Sequence, residues 1–204
     1  MKDGIIFKER HYCIIRNTLS EELLGFLTEY YANKSEVYNT KRKYNYVNRY
    51  NIDEGSVNDP QALGSYSIYG DIPTDMILVK LKPLIEQHTG LKLNEQYSYL
   101  RVYKKGSVLE EHTDRDSCEI SATLNIGCDK IWPIYLEVES KTVEVKLGVG
   151  DMLLYKGAML KHWRKEFKGE ACIQTFLHYN NVNTTSSKYD HRPHLGLPAW
   201  FKGQ

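Results

Sequence analysis

The chain has 204 residues, a formal net charge of +1 and 41% hydrophobic residues. That length suits one domain able to bury a substantial core. So even a charge balance excludes a general attraction to nucleic acid or to an anionic membrane. The opening "MKDGIIFKERHY" lacks the apolar region of a signal peptide, and no apolar stretch approaches membrane-spanning length. A cytoplasmic setting is expected. The four cysteines, Cys13, Cys118, Cys128 and Cys172, form no CxxC pair. Free thiols are therefore expected, not a zinc cluster or a disulfide framework.

In chain order, "IIFKERHYCIIRN" alternates enough to predict an early strand. "TLSEELLGFLTEYYANK" predicts a helix over 18–34. Thr18 and Glu21 have capping-box spacing, and Leu23, Leu24, Leu27 and Tyr30 form an apolar stripe. Residues 36–72 are rich in Asn, Tyr and Gly and read as a loop, in part a flap over a site. "TDMILVKLKPLIEQHTG" predicts a second helix capped by Thr74, ended by Gly90, and bent or broken at Pro83. From Leu91 the segments are short and rich in β-branched or aromatic residues, split by Gly, Asp, Asn and Lys. That texture predicts a sandwich or barrel of strands over about 91–182. The remainder, 183–204, carries "YDHRPHLGLPAWF" and reads as a strap across the sheet. The chain is expected to form one unit: helical support and loop over about 1–90, then the β core, then the strap.

"LEEHTDRDS" places His112 and Asp114 two apart, so on a strand border both face one side. A third ligand must come from elsewhere. His162 is best placed, just after a strand and turn late in the β region. Two histidines and one carboxylate leave three positions open on an iron, the facial triad of non-haem Fe(II) oxygenases.

The run "YLRVYKKGSVLEEHTDRDSCEISATLNIG…GDMLLYKGAMLKHWRKEFKGEACIQTFLHYN" resembles the 2-oxoglutarate- and Fe(II)-dependent dioxygenases of the prolyl 4-hydroxylase type. The resemblance covers roughly residues 75–180. It rests on Tyr-x-x-Gly before the His-x-Asp, the Gly-Asp strand before the distal histidine, and 48 positions from Asp114 to His162. It implies a mainly β fold, a double-stranded β-helix (jelly roll) with buttressing N-terminal helices. It also implies Fe(II) on His112, Asp114 and His162, with 2-oxoglutarate and O₂ as co-substrates and ascorbate as an optional addition. Tyr103 matches the family tyrosine that lines the co-substrate pocket.

The family's usual Lys or Arg, nine or ten residues past the distal histidine, is missing: Ala171 and Cys172 stand there. A dicarboxylate in a dry pocket still needs a cation. Arg101 shares strand parity with Tyr103, Arg164 shares it with His162, and Lys156 is third choice. Arg115 and Glu119 read as solvated charges, His178 as a packed strand histidine, and His191 and His194 as surface residues of the tail. The resemblance implies an enzyme that hydroxylates a peptide or protein side chain, proline foremost. Two alternatives stand beside it: hydroxylation of a small molecule or free amino acid on the same scaffold, and a jelly-roll binding module without turnover.

Overall fold

The computed structural model describes residues 7–48, 50–184 and 188–201. Among these described residues ten strands and two long helices follow one another. They are β1 (Tyr12–Ile15), α1 (Glu21–Lys43), β2 (Tyr66–Tyr69), α2 (Ile72–Thr89), β3 (Leu93–Lys104), β4 (Leu109–His112) and β5 (Ile120–Cys128). Then come β6 (Ile134–Val138), β7 (Lys141–Val145), β8 (Met152–Tyr155), β9 (His162–Arg164) and β10 (Ala171–Asn181).

The strands form two antiparallel sheets. The larger has the order β1-β8-β5-β10-β3-β2 and the smaller β4-β9-β6-β7. Strands β3 to β10 alone give two four-stranded sheets in the order of a double-stranded β-helix, and β1 and β2 extend the larger one. Period-two alternation decides what each face of the larger sheet carries. Along β5, Ala122, Leu124 and Ile126 join the apolar core that also holds Leu24, Leu27, Leu78 and Ile85 of the helices. The intervening Thr123 and Asn125 are also buried, but face the smaller sheet side with polar groups. Tyr179 of β10 donates its hydroxyl to the Leu78 carbonyl of α2 at 2.7 Å, which ties helix to sheet.

Several local expectations need correcting. The first strand is confined to Tyr12–Ile15, and residues 7–10 are helical. Ser20, not Thr18, caps α1, accepting from the Leu23 amide, while the Thr18 hydroxyl donates to the Gly150 carbonyl. Helix α1 runs on to Lys43, well into the segment read as loop. Its apolar face continues through Tyr31 to Tyr38, whose ring packs 5.3 Å from that of Tyr66. Tertiary burial there outweighs the weak helix propensity of Asn and Thr. Strand β2 takes another part of the same segment, leaving irregular loop over 44–48 and 50–65. Asp71 is the N-cap of α2, and Thr74 lies inside the helix, donating to the Asp71 carbonyl. Pro83 does not break α2, and Gly90 ends it in the left-handed region at φ 71°. The strap is anchored by Arg192, whose guanidinium is buried against the equally buried Asp75 of α2 at 3.1 Å.

Candidate metal centre and its cavity

His112 closes β4 and His162 opens β9, and the two are register partners on adjacent strands. Asp114 follows on the turn after β4, where its amide donates to the Gly157 carbonyl at 2.9 Å. Asp114 Oδ1 lies 3.8 Å from His112 Nε2 and 3.5 Å from His162 Nε2. One ligand atom from each residue lies within 4.8 Å of the others, the one such group of three among the described residues.

The remaining polar atoms of the three side chains are occupied. His112 Nδ1 is 2.8 Å from the Glu110 carbonyl, and His162 Nδ1 is 2.9 Å from that of Leu160. Each Nδ1 therefore carries the proton, and each Nε2 presents a lone pair toward the shared point. Asp114 Oδ2 accepts from the Ser121 hydroxyl at 2.6 Å, and Ser121 Oγ is 3.0 Å from His178 Nδ1. Burial pushes the Asp114 carboxyl up, but the adjacent His162 and His178 rings and the Ser121 hydroxyl outweigh it and hold it well below the carboxylate range. Burial pushes His112 down. An ionised carboxylate and Nε2 lone pairs aimed at one point are what a cation requires.

These residues sit in a cavity of about 520 Å³, lined also by Asp59, Tyr97, Arg101, Phe176 and His178, and by Ala199 of the strap. Arg101 reaches it from β3, and its charge is already matched. Its Nε donates to Asp59 Oδ2 at 2.8 Å, Nη2 to Gln61 Oε1 at 2.6 Å, and Nη1 to the Tyr103 hydroxyl at 3.1 Å. Tyr99 donates to the same Asp59 oxygen at 2.7 Å. On the other wall Arg115, still exposed, lies over the Tyr97 ring at 4.5 Å and pairs with Asp190 at 3.0 Å. Glu119 also serves the fold, accepting from the Asn181 amide at 3.0 Å.

Arg164 differs from Arg101. It is fully buried on the same side of β9 as His162. Nη1 donates to the Trp132 carbonyl and Nη2 to Gln174 Oε1 at 3.2 Å, while Nε is buried without a partner. No carboxylate pairs with it among the described residues, and burial lowers its pKa. Neither it nor the wholly buried Tyr103 is among the residues that line the cavity. Lys156 does not line the cavity either; its amide donates to the His11 carbonyl.

Several members of this site had no distinctive motif. Ser121, Gly157, Asp59, Gln61 and Asp190 are ordinary residues in sequence, and only a flap over the site was expected of the segment that holds Asp59. His178, expected to be packing only, lines the cavity and supports Ser121. His191 and His194 are exposed and stand outside the metal group.

No protein-family model and no curated protein matches the chain. Solved structures do. A prolyl-4-hydroxylase of Pseudomonas putida matches with a TM-score of 0.63 at 14% identity, covering 88% of this chain and 97% of that one. HygX of Streptomyces hygroscopicus, solved with nickel, 2-oxoglutarate and hygromycin B, matches with a TM-score of 0.60 at 13% identity, covering 89% and 87%. SnoK, described as a non-haem α-ketoglutarate-dependent carbocyclase from nogalamycin biosynthesis, matches with a TM-score of 0.67 at 10% identity, covering 89% and 83%. With its two sheets in jelly-roll order and a His-x-Asp…His group between β4 and β9, the chain has the fold of the 2-oxoglutarate- and Fe(II)-dependent oxygenases.

Proposed function

We propose that this chain is a 2-oxoglutarate-dependent oxygenase that hydroxylates its substrate at an Fe(II) centre held by His112, Asp114 and His162. One observation carries the reading: two imidazole Nε2 atoms and one carboxylate oxygen converge on one point, while the protein occupies every other polar atom of those side chains. A set of two nitrogens and one oxygen suits Fe(II), and it faces a cavity from which co-substrates enter. Bound iron with 2-oxoglutarate and O₂ supplies the oxidising power, and no side chain is needed as acid or base.

The chain's own residues do the positioning. The Glu110 and Leu160 carbonyls fix both imidazole rings, and Ser121 orients the far oxygen of Asp114. Arg164 takes the C5 carboxylate of 2-oxoglutarate. A buried guanidinium without a counter-charge is costly, and an entering anion would pair with it and satisfy its orphaned Nε. Arg101 is the weaker choice, since Asp59 already neutralises it and would repel a second carboxylate. Tyr103, which accepts from Arg101, packs edge-on against the Trp132 ring, over which Arg164 lies at 5.0 Å.

The resemblance favours a peptide or protein side chain as substrate, proline foremost, in line with the prolyl-4-hydroxylase neighbour. A specific observation favours the second reading, a small molecule or free amino acid. A peptide needs a groove open at both ends. Here Asp59 and Gln61 fasten the loop to β3, and the Arg192–Asp75 pair fastens the strap that delivers Ala199. The cavity volume is also in the range of small-molecule sites. A binding module without turnover fits less well, because it has no use for an unpaired buried cation behind an intact ligand set.

The test is succinate formation from 2-oxoglutarate by purified protein, with and without Fe(II). Iron-dependent succinate supports an oxygenase. Metal binding with no succinate, in the presence of extract metabolites and peptides, would leave the binding module as the better account.

A further inference from the structure

We propose that Cys128 and Cys172 form a thiol pair that peroxide oxidises to a disulfide, resetting the anion site at Arg164. The disulfide chemistry stands on its own, whereas its effect on the anion site rests on the assignment of Arg164 to 2-oxoglutarate.

The pair is built by strand register. Cys128 ends β5 and faces Cys172 directly across the antiparallel ladder to β10. Directly opposed residues place their Cα atoms about 4.5–5.5 Å apart, inside the roughly 4.4–6.8 Å span of disulfides. The next residues, Ile173 and Gln174, carry an irregularity in register, so the ladder there has room to adjust. Both sulfurs are free thiols.

Access is asymmetric, which suits an attacking and a resolving thiol. Cys172 is fully buried against Trp132, Phe167 and Phe176. Cys128 is half-buried and opens on a groove at the foot of α1, lined also by Leu24, Thr28 and Ala171. That groove shares no lining residue with the metal cavity. The Cys172 thiol and Asn125 Nδ2, the latter at 3.2 Å, both donate to Cys128 sulfur and favour its thiolate. Its pKa is drawn down, first by the Cys172 hydrogen bond.

The reaction balances without a metal. The Cys128 thiolate attacks H₂O₂ and gives a sulfenic acid and hydroxide. The Cys172 thiol then displaces the sulfenic oxygen as water, forming the S–S bond. The two sulfurs together lose two electrons, and peroxide is reduced to water.

The link to the anion site is one amide. Gln174 Nε2 donates to Cys172 sulfur at 3.2 Å, and Gln174 Oε1 accepts from Arg164 Nη2 at 3.2 Å. Turning the Cys172 sulfur toward Cys128 withdraws it from Gln174, and Gln174 is half of what holds the guanidinium ends in place.

The experiment treats purified protein with stoichiometric H₂O₂, alkylates it under denaturing conditions and maps the peptides. The expected result is a mass loss of about 2 Da and one cross-linked peptide joining Cys128 and Cys172. The apparent KM for 2-oxoglutarate should rise roughly three- to tenfold, the scale of one lost hydrogen bond, and dithiothreitol should restore it. Cys128→Ser should keep the parental KM and lose its sensitivity to peroxide. Four alkylatable thiols after treatment, or a bridge that uses Cys118 or Cys13, would overturn the pair. A Cys128–Cys172 bridge that leaves KM unchanged would overturn the link to Arg164. If unoxidised protein makes no succinate at all, the function above fails while the thiol mapping still decides the pair.

Discussion

Gly157 and Asp114 approach so closely that a Cβ on the glycine would overlap the carboxylate's outer oxygen. The same Cβ would strike the Ser121 hydroxyl and lie 2.9 Å from the Cys118 carbonyl. Gly157 also holds Asp114 in place through its own carbonyl. Gly157→Ala should therefore tilt Asp114 away from the two imidazoles without emptying any core position. We expect metal affinity to fall roughly ten- to a hundredfold, the scale seen when support behind a metal ligand is removed. Metal titration followed by calorimetry measures it. Unchanged affinity in the folded variant would show that the Asp114 position does not depend on this contact.

Asp114→Ala should abolish iron-dependent turnover of 2-oxoglutarate while the fold survives. Asp114 packs at the cavity, not in the apolar clusters, so circular dichroism should be retained. Near-normal succinate production by the folded variant would remove the ligand assignment.

Arg164→Met and Arg101→Met separate the two candidate cations. Methionine keeps much of the stem and loses the fork. Arg164→Met should raise the apparent KM for 2-oxoglutarate by roughly ten- to a thousandfold, matching about 1.5–4 kcal/mol for a lost charge-assisted pair. It should not lower thermal stability greatly, because an unpaired buried charge contributes little to the fold. Arg101→Met should act mainly on the prime substrate and on the loop that carries Asp59. The reverse pattern would move the carboxylate site to Arg101. If neither variant changes KM, Lys156→Met is next, and after it 2-oxoglutarate itself comes into question.

Acid should release the loop that carries Asp59 and Gln61. Burial pushes the Asp59 carboxyl up, but the Arg101 charge and the Tyr99 hydrogen bond outweigh it and leave it below its ordinary value. A folded pKa below the unfolded one gives stabilisation that is present above about pH 4 and lost as pH falls through the folded pKa. Asp59→Asn should mimic that state at neutral pH, costing about 1–3 kcal/mol locally. Hydrogen exchange of the loop amides reads it directly. Equal protection in parent and variant at pH 7 would show that other contacts hold the loop.

The parts legible in sequence were those set by short-range pattern. The His-x-Asp spacing and the parity of Arg164 with His162 survive because side chains alternate along a strand whatever the strand pairs with. The jelly roll was legible through its resemblance and its string of short strands. The end of α1 was not, because Tyr38 is held helical by Tyr66, almost thirty positions away. Ser121 and Asp59 were not, because a lone serine or aspartate acquires its role only from what the fold sets beside it. Thr18 was misread for a related reason: its hydroxyl had a tertiary partner, Gly150, that local capping rules do not see.

The register partnership of His112 with His162 has a mechanical consequence. Strand β4 lies at the edge of its sheet and, among the described residues, pairs only with β9, through Leu109 opposite Arg164 and His112 opposite His162. A cation bound to both histidines is thus a rivet across two strands whose ends are 50 positions apart in the chain. Once one imidazole has bound, the second is delivered at the high effective concentration of a tethered ligand, so the ion leaves only if the edge itself peels. Chelation of the metal should accordingly be slow. Afterwards the first segment to exchange its amides should be β4, with the larger sheet still closed behind it.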